Sequence, residues 1–384
     1  MHQRQLRAPL DAAGDPASRL IGVHTGHLWV TAALDALLSP AGAMNAQGLL
    51  NLTLGWGCMA LLCRAAGASP ALSLALGLPF GLGLHGFRDL NWTTIEKSSM
   101  FWLPLFGWSL LRAWTHGGRW RALPAVLYGL MSWMNLYWGL VGAALGGLSV
   151  LAAGHASWRA PALRGPARAV LVANALCAAP GLLLGAWQGH VMAGGAPLGT
   201  PEQFLWQRAA LDSVTIWPPT WSRLELWRAL NPAALALCVW GGWRGRRDGA
   251  VRAAALAGAL MAALALGPVL WWTASDPQQG IPNPLYMLAW HGIPGFWRVA
   301  KPEVFFLATW MLLLLVGARG LRGWRPAGWR AALPLGLVMV MWLALVRTHP
   351  AYPGWTRFQE SSLDPAWKDR VFGGAPTAPP GSGR

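Results

Sequence analysis

The sequence predicts an all-α fold, a polytopic membrane bundle of about ten transmembrane or re-entrant helices, and three observations carry that prediction. Hydrophobic residues make up 54% of the 384-residue chain and charged residues only 11%, whereas soluble domains carry about a quarter charged residues. Apolar runs recur along the whole chain, at lengths that read as buried or membrane-crossing helices. The connections between the runs alternate in charge. Every second, short connection carries arginine: Arg64; Arg112, Arg119 and Arg121; Arg159, Arg164 and Arg168; Arg244, Arg246, Arg247 and Arg252; and Arg319, Arg322, Arg325 and Arg330. These are fifteen of the 30 Lys/Arg residues, and one acid, Asp248, accompanies them. The other connections and both tails hold the remaining thirteen of the 14 Asp/Glu residues. Lys/Arg in short loops is retained on the cytoplasmic side during insertion, and acids hardly count in that rule. The alternation therefore orients the bundle and puts the acid-bearing connections, with both ends of this chain, outside.

Residues 1–44 precede the first apolar run and read as an external segment, in which residues 20–38 predict an interfacial amphipathic helix. Apolar runs follow at about 45–66, 70–87, 99–114, 121–135, 137–154, 168–187, 226–243, 252–272, 303–320 and 328–346. Several fall short of the roughly 20 residues that cross hydrocarbon. The 121–154 pair predicts a bent hairpin that crosses or re-enters, with the same parity either way. Pro79, Pro104, Pro124 and Pro180 lie within or at the starts of runs and predict kinks. The bundle thus covers 45–346, with external loops at 88–98, 188–225 and 273–302. The tail, 347–384, is rich in Pro, Gly and Ser towards its end, which predicts disorder over 373–384. Parity leaves residues 1–44 outside with no earlier helix or signal peptide in the sequence to carry them there. That predicts one more helix upstream of Met1.

Composition also bounds the partners. The formal charge of +16 is scattered over five short loops rather than gathered on one face, so it reads as topology with anionic lipid headgroups as partners, and not as a nucleic-acid footprint. Lysine occurs only at Lys97, Lys301 and Lys368 while Arg and Ala abound, a composition that fits a high-GC bacterial gene and so a bacterial inner membrane. Many of the 27 tryptophans end apolar runs, as at Trp102, Trp108, Trp114, Trp187, Trp271 and Trp272, where an amphipathic ring anchors at headgroup level. Cys58, Cys63, Cys177 and Cys238 lie inside apolar runs without metal spacing and predict buried free thiols. There is no Walker phosphate loop, nucleophile elbow, Cys-x-x-Cys pair or Rossmann fingerprint.

Candidate chemistry lies in three outer regions. On a helical period His24, His27, Thr31 and Asp35 fall within an arc of about 80°, which makes them an active-site wall or the wet face of an interfacial helix. His85, Arg88, Asp89, Asn91, Glu96 and Lys97 crowd the second loop, beside strongly apolar helix ends. His291, Arg298, Lys301 and Glu303 precede the run at Val304. Arg298 and Lys301 suit a lipid-linked phosphate or, equally, lipid headgroups.

Gly14-Asp15 with the amphipathic segment after it, Asn45 to His85, Trp102-Leu103-Pro104-Leu105 to Gly154, and Pro284-Leu285, Ile293-Pro294-Gly295-Phe296 and Arg298-Val299-Ala300-Lys301-Pro302-Glu303-Val304 together resemble the polytopic glycosyltransferases of the GT-C fold. The resemblance covers most of residues 10–346. It implies transfer of a sugar from a polyprenyl-phosphate donor to a glycan, lipid or protein acceptor on the external face. By that resemblance Asp15 is the first candidate for the catalytic carboxylate and Asp89 and Glu96 the next, acting as base or as ligands of a divalent metal ion such as Mg or Mn. Arg88, Arg298 and Lys301 would hold the donor phosphate. Where such enzymes often carry a second basic residue after the late proline, this chain has Glu303. Two other readings compete. One is a degenerate, non-catalytic membrane protein of the same fold. The other is a transporter, against which stand the absence of mid-span charges and of a repeated half.

Overall fold

The computed structural model describes residues 25–83, 98–116, 118–159, 168, 172, 230–267, 269–270, 281–292, 296, 304–325 and 328–348. Eleven α-helices occur among them: α1 (Thr25–Asp35), α2 (Pro40–Ala65), α3 (Pro70–Gly81), α4 (Trp102–His116), α5 (Leu123–Met134), α6 (Leu136–Arg159), α7 (Pro232–Arg244), α8 (Gly249–Ala265), α9 (Pro284–Gly292), α10 (Val304–Gly320) and α11 (Leu333–Thr348). The only other regular pairing described joins the two-residue segments β1 (Val269–Leu270) and β2 (Ile281–Pro282), antiparallel, with Val269 opposite Pro282.

Four helices start on one local device. Ser39, Ser69, Asn231 and Asn283 precede Pro40, Pro70, Pro232 and Pro284, and each side-chain oxygen accepts a backbone N–H three residues on: Gly42 at 3.2 Å, Leu72 at 3.4 Å, Ala234 at 3.1 Å and Tyr286 at 3.3 Å. The cap satisfies an orphan donor, worth about 1 kcal/mol. Proline fits the first helical position because its missing N–H would have no partner there. The first cap also moves a boundary, since α2 begins at Pro40 rather than at 45. Pro104 and Pro124 fall in first turns, where they displace no helical hydrogen bond, so of the described prolines expected to kink helices only Pro79 lies inside one. The carbonyls near that end of α3 are met by tryptophan: Trp310 Nε1 donates to Pro79 O at 3.5 Å and Trp342 Nε1 to Leu82 O at 2.7 Å.

The apolar runs and the helices coincide closely, apart from the run at 168–187, which lies outside the described residues save Arg168 and Val172. Among the described residues one segment, Gly42–Ala65, is long and apolar enough to cross a membrane by itself. The other apolar helices are shorter.

At the centre runs α10, with fourteen of its 17 residues buried. Helices α2, α3, α4, α6, α7 and α8 all pack on it. Where α7 crosses it, glycine faces glycine. A Cβ on Gly241 would lie 2.7 Å from the Gly317 Cα, and one on Gly320 would collide with the Gly241 carbonyl. Small residues let backbones approach in this way, which is how helices associate where no hydrophobic force separates them from their solvent. The outward faces stay apolar: Val239, Leu256 and Val340 are 66%, 64% and 62% exposed.

The helices run alternately between two ends. Gly67, between α2 and α3, lies against Arg322, which follows α10. Asp248, between α7 and α8, bonds Arg319 of α10. Helices α2 and α4 run in parallel, joined by Asn51 with Ser98 near one end and by Leu62 with Gly107 further along. Arg64 and Arg112 therefore share an end with Asp248 and Arg322.

Candidate functional site

At the end opposite the arginines, a seam of buried polar groups joins four elements. On α1, Thr31 Oγ1 donates to Gln47 Oε1 of α2 at 2.6 Å. One turn along α2, Asn51 Nδ2 donates to Ser98 Oγ at 2.8 Å. The adjoining Ser99 Oγ accepts from Trp138 Nε1 of α6 at 3.0 Å. Asn135 breaks the α5–α6 hairpin in extended conformation and its Oδ1 accepts the Tyr137 N–H at 2.9 Å, so one residue ends one helix and caps the next. Gln47, Asn51, Ser98, Ser99 and Asn135 are all nearly or wholly buried. Buried polar groups cost about 1–3 kcal/mol each when left unpaired, so pairs like these fix the register of the elements they join.

Asp35 lies one turn beyond Thr31, on the same face of α1. Its Oδ1 is buried and has no hydrogen-bond partner. The α1 polar stripe was open to two readings, a site wall or a wet face. Thr31 is buried against α2 rather than wet, which favours the inward reading for this part of the stripe. His27 lies on α1 as well.

The seam brings together two of the three sequence regions. The α1 stripe meets α2 at Gln47, and Ser98, which ends the loop carrying Arg88, Asp89 and Glu96, meets it at Asn51. The third region is seated elsewhere. Asn283 Nδ2 donates to the Ala263 and Gly267 carbonyls at the end of α8, at 2.7 and 2.8 Å, and Tyr286, Phe296 and Phe305 stack at 5.1 and 5.7 Å. His291 is exposed in the last turn of α9 and joins neither group. Asp15, His24, His85, Arg88, Asp89, Glu96, Arg298 and Lys301 lie outside the described residues.

Among the described residues no group of three His, Cys, Asp or Glu could hold a metal ion. The seam offers one carboxylate, Asp35, with neutral amides and hydroxyls, a donor set too weak for Mg or Mn, which take carboxylate oxygens. Cys63 and Cys238 are buried free thiols and Cys58 is a half-buried one.

The arginine end is built differently. Asp248 caps α8 by accepting the Ala250 N–H at 2.8 Å, and pairs with Arg319 at 3.1 Å and Arg322 at 3.4 Å. Partial burial pushes its carboxyl up, but the Ala250 amide and the two guanidinium groups outweigh this and hold it below its ordinary value of 3.8. Other arginines use neutral partners. Arg64 donates to Ala68 O at 2.8 Å, Arg112 stands 5.8 and 5.9 Å from the Trp108 and Trp120 rings, and Arg246 lies 5.1 Å from Trp243. Such cation–π contacts contribute about 0.5–1 kcal/mol at exposed sites.

The sequence candidates include Thr31 and Asp35 of the seam but not Gln47, Asn51 or Ser98. Their signal was present, since Gln47 and Asn51 are polar residues four apart in an apolar run and so share one helix face. No family model matches the chain, and no curated protein or solved structure matches it.

Proposed function

We propose that this chain is a multi-pass membrane protein that transfers a sugar from a polyprenyl-phosphate donor, working at the end of the bundle where the polar seam lies. The observation that carries the reading is that seam. It anchors the α1 stripe, with Asp35 one turn from Thr31, and Ser98, the last residue of the 88–98 loop that carries Asp89 and Glu96 in sequence, on adjacent turns of α2. The membrane setting is supported by large apolar side chains exposed on several helices, among them Val239, Leu256 and Val340, and by arginines gathered at the opposite end. In the proposed reaction a carboxylate, Asp15 first and then Asp89 or Glu96, takes the proton of an acceptor hydroxyl as its oxygen bonds to the sugar's anomeric carbon. The bond from that carbon to the donor phosphate breaks, and Arg88, Arg298 and Lys301 would stabilise the departing anion.

The test supplies labelled polyprenyl-phosphate sugars to membranes holding the protein, with Asp15→Asn and vesicles lacking the protein as controls. A labelled product that is lost in Asp15→Asn, with equal amounts of folded protein, supports the reading. Product that persists in the variant removes Asp15 from the reaction, and no product with any donor removes the transferase reading. A non-catalytic protein of the same architecture is the second reading. The observation favouring it is that the seam contains a single carboxylate.

A further inference from the structure

Arg244, Arg325 and Arg330 rim an open groove of about 1140 Å³ between α7 and α11, and among the described residues no carboxylate lines it. Asp248, the only acid described at this end, is engaged with Arg319 and Arg322. The groove changes character along its length. On α7 its wall passes from Leu237 through Trp240 to Arg244, a single face of the helix, and on α11 it is formed by Leu333 and Leu337. It is therefore apolar towards the middle of the bundle and cationic at its mouth. Arg330 stands 6.0 Å from the ring of Trp329, which is 71% exposed. A guanidinium stacked on a ring keeps its N–H edge for an oxyanion. Inorganic phosphate would leave the leucine wall wet, a zwitterionic headgroup would leave three cations uncompensated, and an apolar molecule would leave the mouth unused.

We propose that this groove binds an anionic glycerophospholipid of the arginine-side leaflet, its phosphate among Arg244, Arg325 and Arg330 and an acyl chain along Leu237, Leu333 and Leu337. The inference rests on the membrane reading of the bundle and is independent of the transferase reading. Native mass spectrometry of the full chain in detergent tests it, with phosphatidylglycerol and phosphatidylcholine of equal acyl length as probes. The expected result is a preference for phosphatidylglycerol of up to about a hundredfold, since each of the three arginines contributes about fivefold to attraction for anionic lipid. The preference disappears in Arg244→Gln/Arg325→Gln/Arg330→Gln and survives in Arg119→Gln/Arg121→Gln/Arg252→Gln, which removes equal charge elsewhere at the same end. Leu237→Trp/Leu337→Trp, which fills the groove and keeps the arginines, also abolishes it. Equal loss in the two arginine triples, a preference untouched by the groove variants, or displacement of the lipid by equimolar inorganic phosphate overturns the proposal. Extraction with alkaline carbonate separates the two levels. Release of the protein from membranes removes the membrane reading itself, whereas a carbonate-resistant protein without lipid preference removes only the groove site.

Discussion

The two ends of this bundle solve the problem of polar groups among apolar helices in opposite ways. At the arginine end the charges stay at the surface and are met piecemeal, by one shared carboxylate, a carbonyl and several tryptophan faces. At the other end the described polar groups are mostly neutral, buried and paired across elements far apart in sequence. Surface charge in contact with water contributes little to stability, while a buried pair loses a full desolvation penalty when broken. The arginine end therefore adds little to stability through its charges, while the opposite end is a frame whose pairs hold their elements in register.

That contrast has a mechanical underside, and the largest expected effect probes it. At the arginine end α7 and α10 meet backbone to backbone at the Gly241–Gly317–Gly320 crossing. Gly320→Leu places a side chain into the Gly241 carbonyl, where backbone faces backbone and neither helix can yield cheaply. Overpacking of this kind costs about 3 kcal/mol or more, so the variant should lose its monodisperse folded form in detergent chromatography. A well-folded Gly320→Leu protein would mean that α7 and α10 are not in contact at this depth.

Next in size is the seam. Asn51→Ala leaves the Ser98 hydroxyl buried without its donor, at a cost of about 1–3 kcal/mol. Thermal unfolding of Asn51→Ala, Ser98→Ala and the double variant should give a coupling energy of about 1 kcal/mol. Additive effects would show that the two side chains do not meet, and the seam would lose its link to the 84–97 loop.

Smaller again is the single acid of the arginine end. Asp248→Asn keeps a good helix cap while removing the charge, whereas Asp248→Ala removes both. The first should cost less than about 1 kcal/mol because the pair is partly solvated, the second about 1 kcal/mol more. The folded-state carboxyl titrates below its unfolded value of 3.8, so the folded protein binds fewer protons. The contribution is fully present above that value and is lost as pH falls through the lower, folded one. Asp248→Asn should thus lower stability by a constant small amount above about pH 4 and remove the fall below it, and a change of slope near neutral pH would point to a different titrating group.

Much of this architecture was legible in the sequence. The hydrophobic runs locate the helices within a few residues, because an apolar stretch bounded by Ser-Pro or Asn-Pro has few alternatives to helix. The segregation of arginine also appears as one physical end, which the helix order alone predicts. The seam was harder to see. Thr31 and Asp35 looked as if they could face water, because a short polar stripe on an isolated helix normally does. Only the packing of α1 on α2 supplies Gln47 as a partner, sixteen residues away. The groove at Arg244, Arg325 and Arg330 was equally hidden, since its two walls are separated by about ninety residues of chain and each arginine alone reads as a topological charge.

The smallest expected effect on stability is the most informative about function. Asp35 holds a buried carboxylate oxygen with no hydrogen-bond partner. Nothing in the described packing depends on its charge, so Asp35→Asn should leave the unfolding temperature nearly unchanged, within about 0.5 kcal/mol. A residue retained only for structure would show its whole effect there. If the seam frames a reaction, the same variant should lower sugar transfer by about tenfold or more while substrate-independent properties stay fixed, as expected when a group acts on the transition state and not on the fold. Equal losses of stability and activity would place Asp35 in the scaffold. An unchanged rate would leave the chemistry to Asp15, Asp89 and Glu96 alone, and the seam would then serve only as a frame.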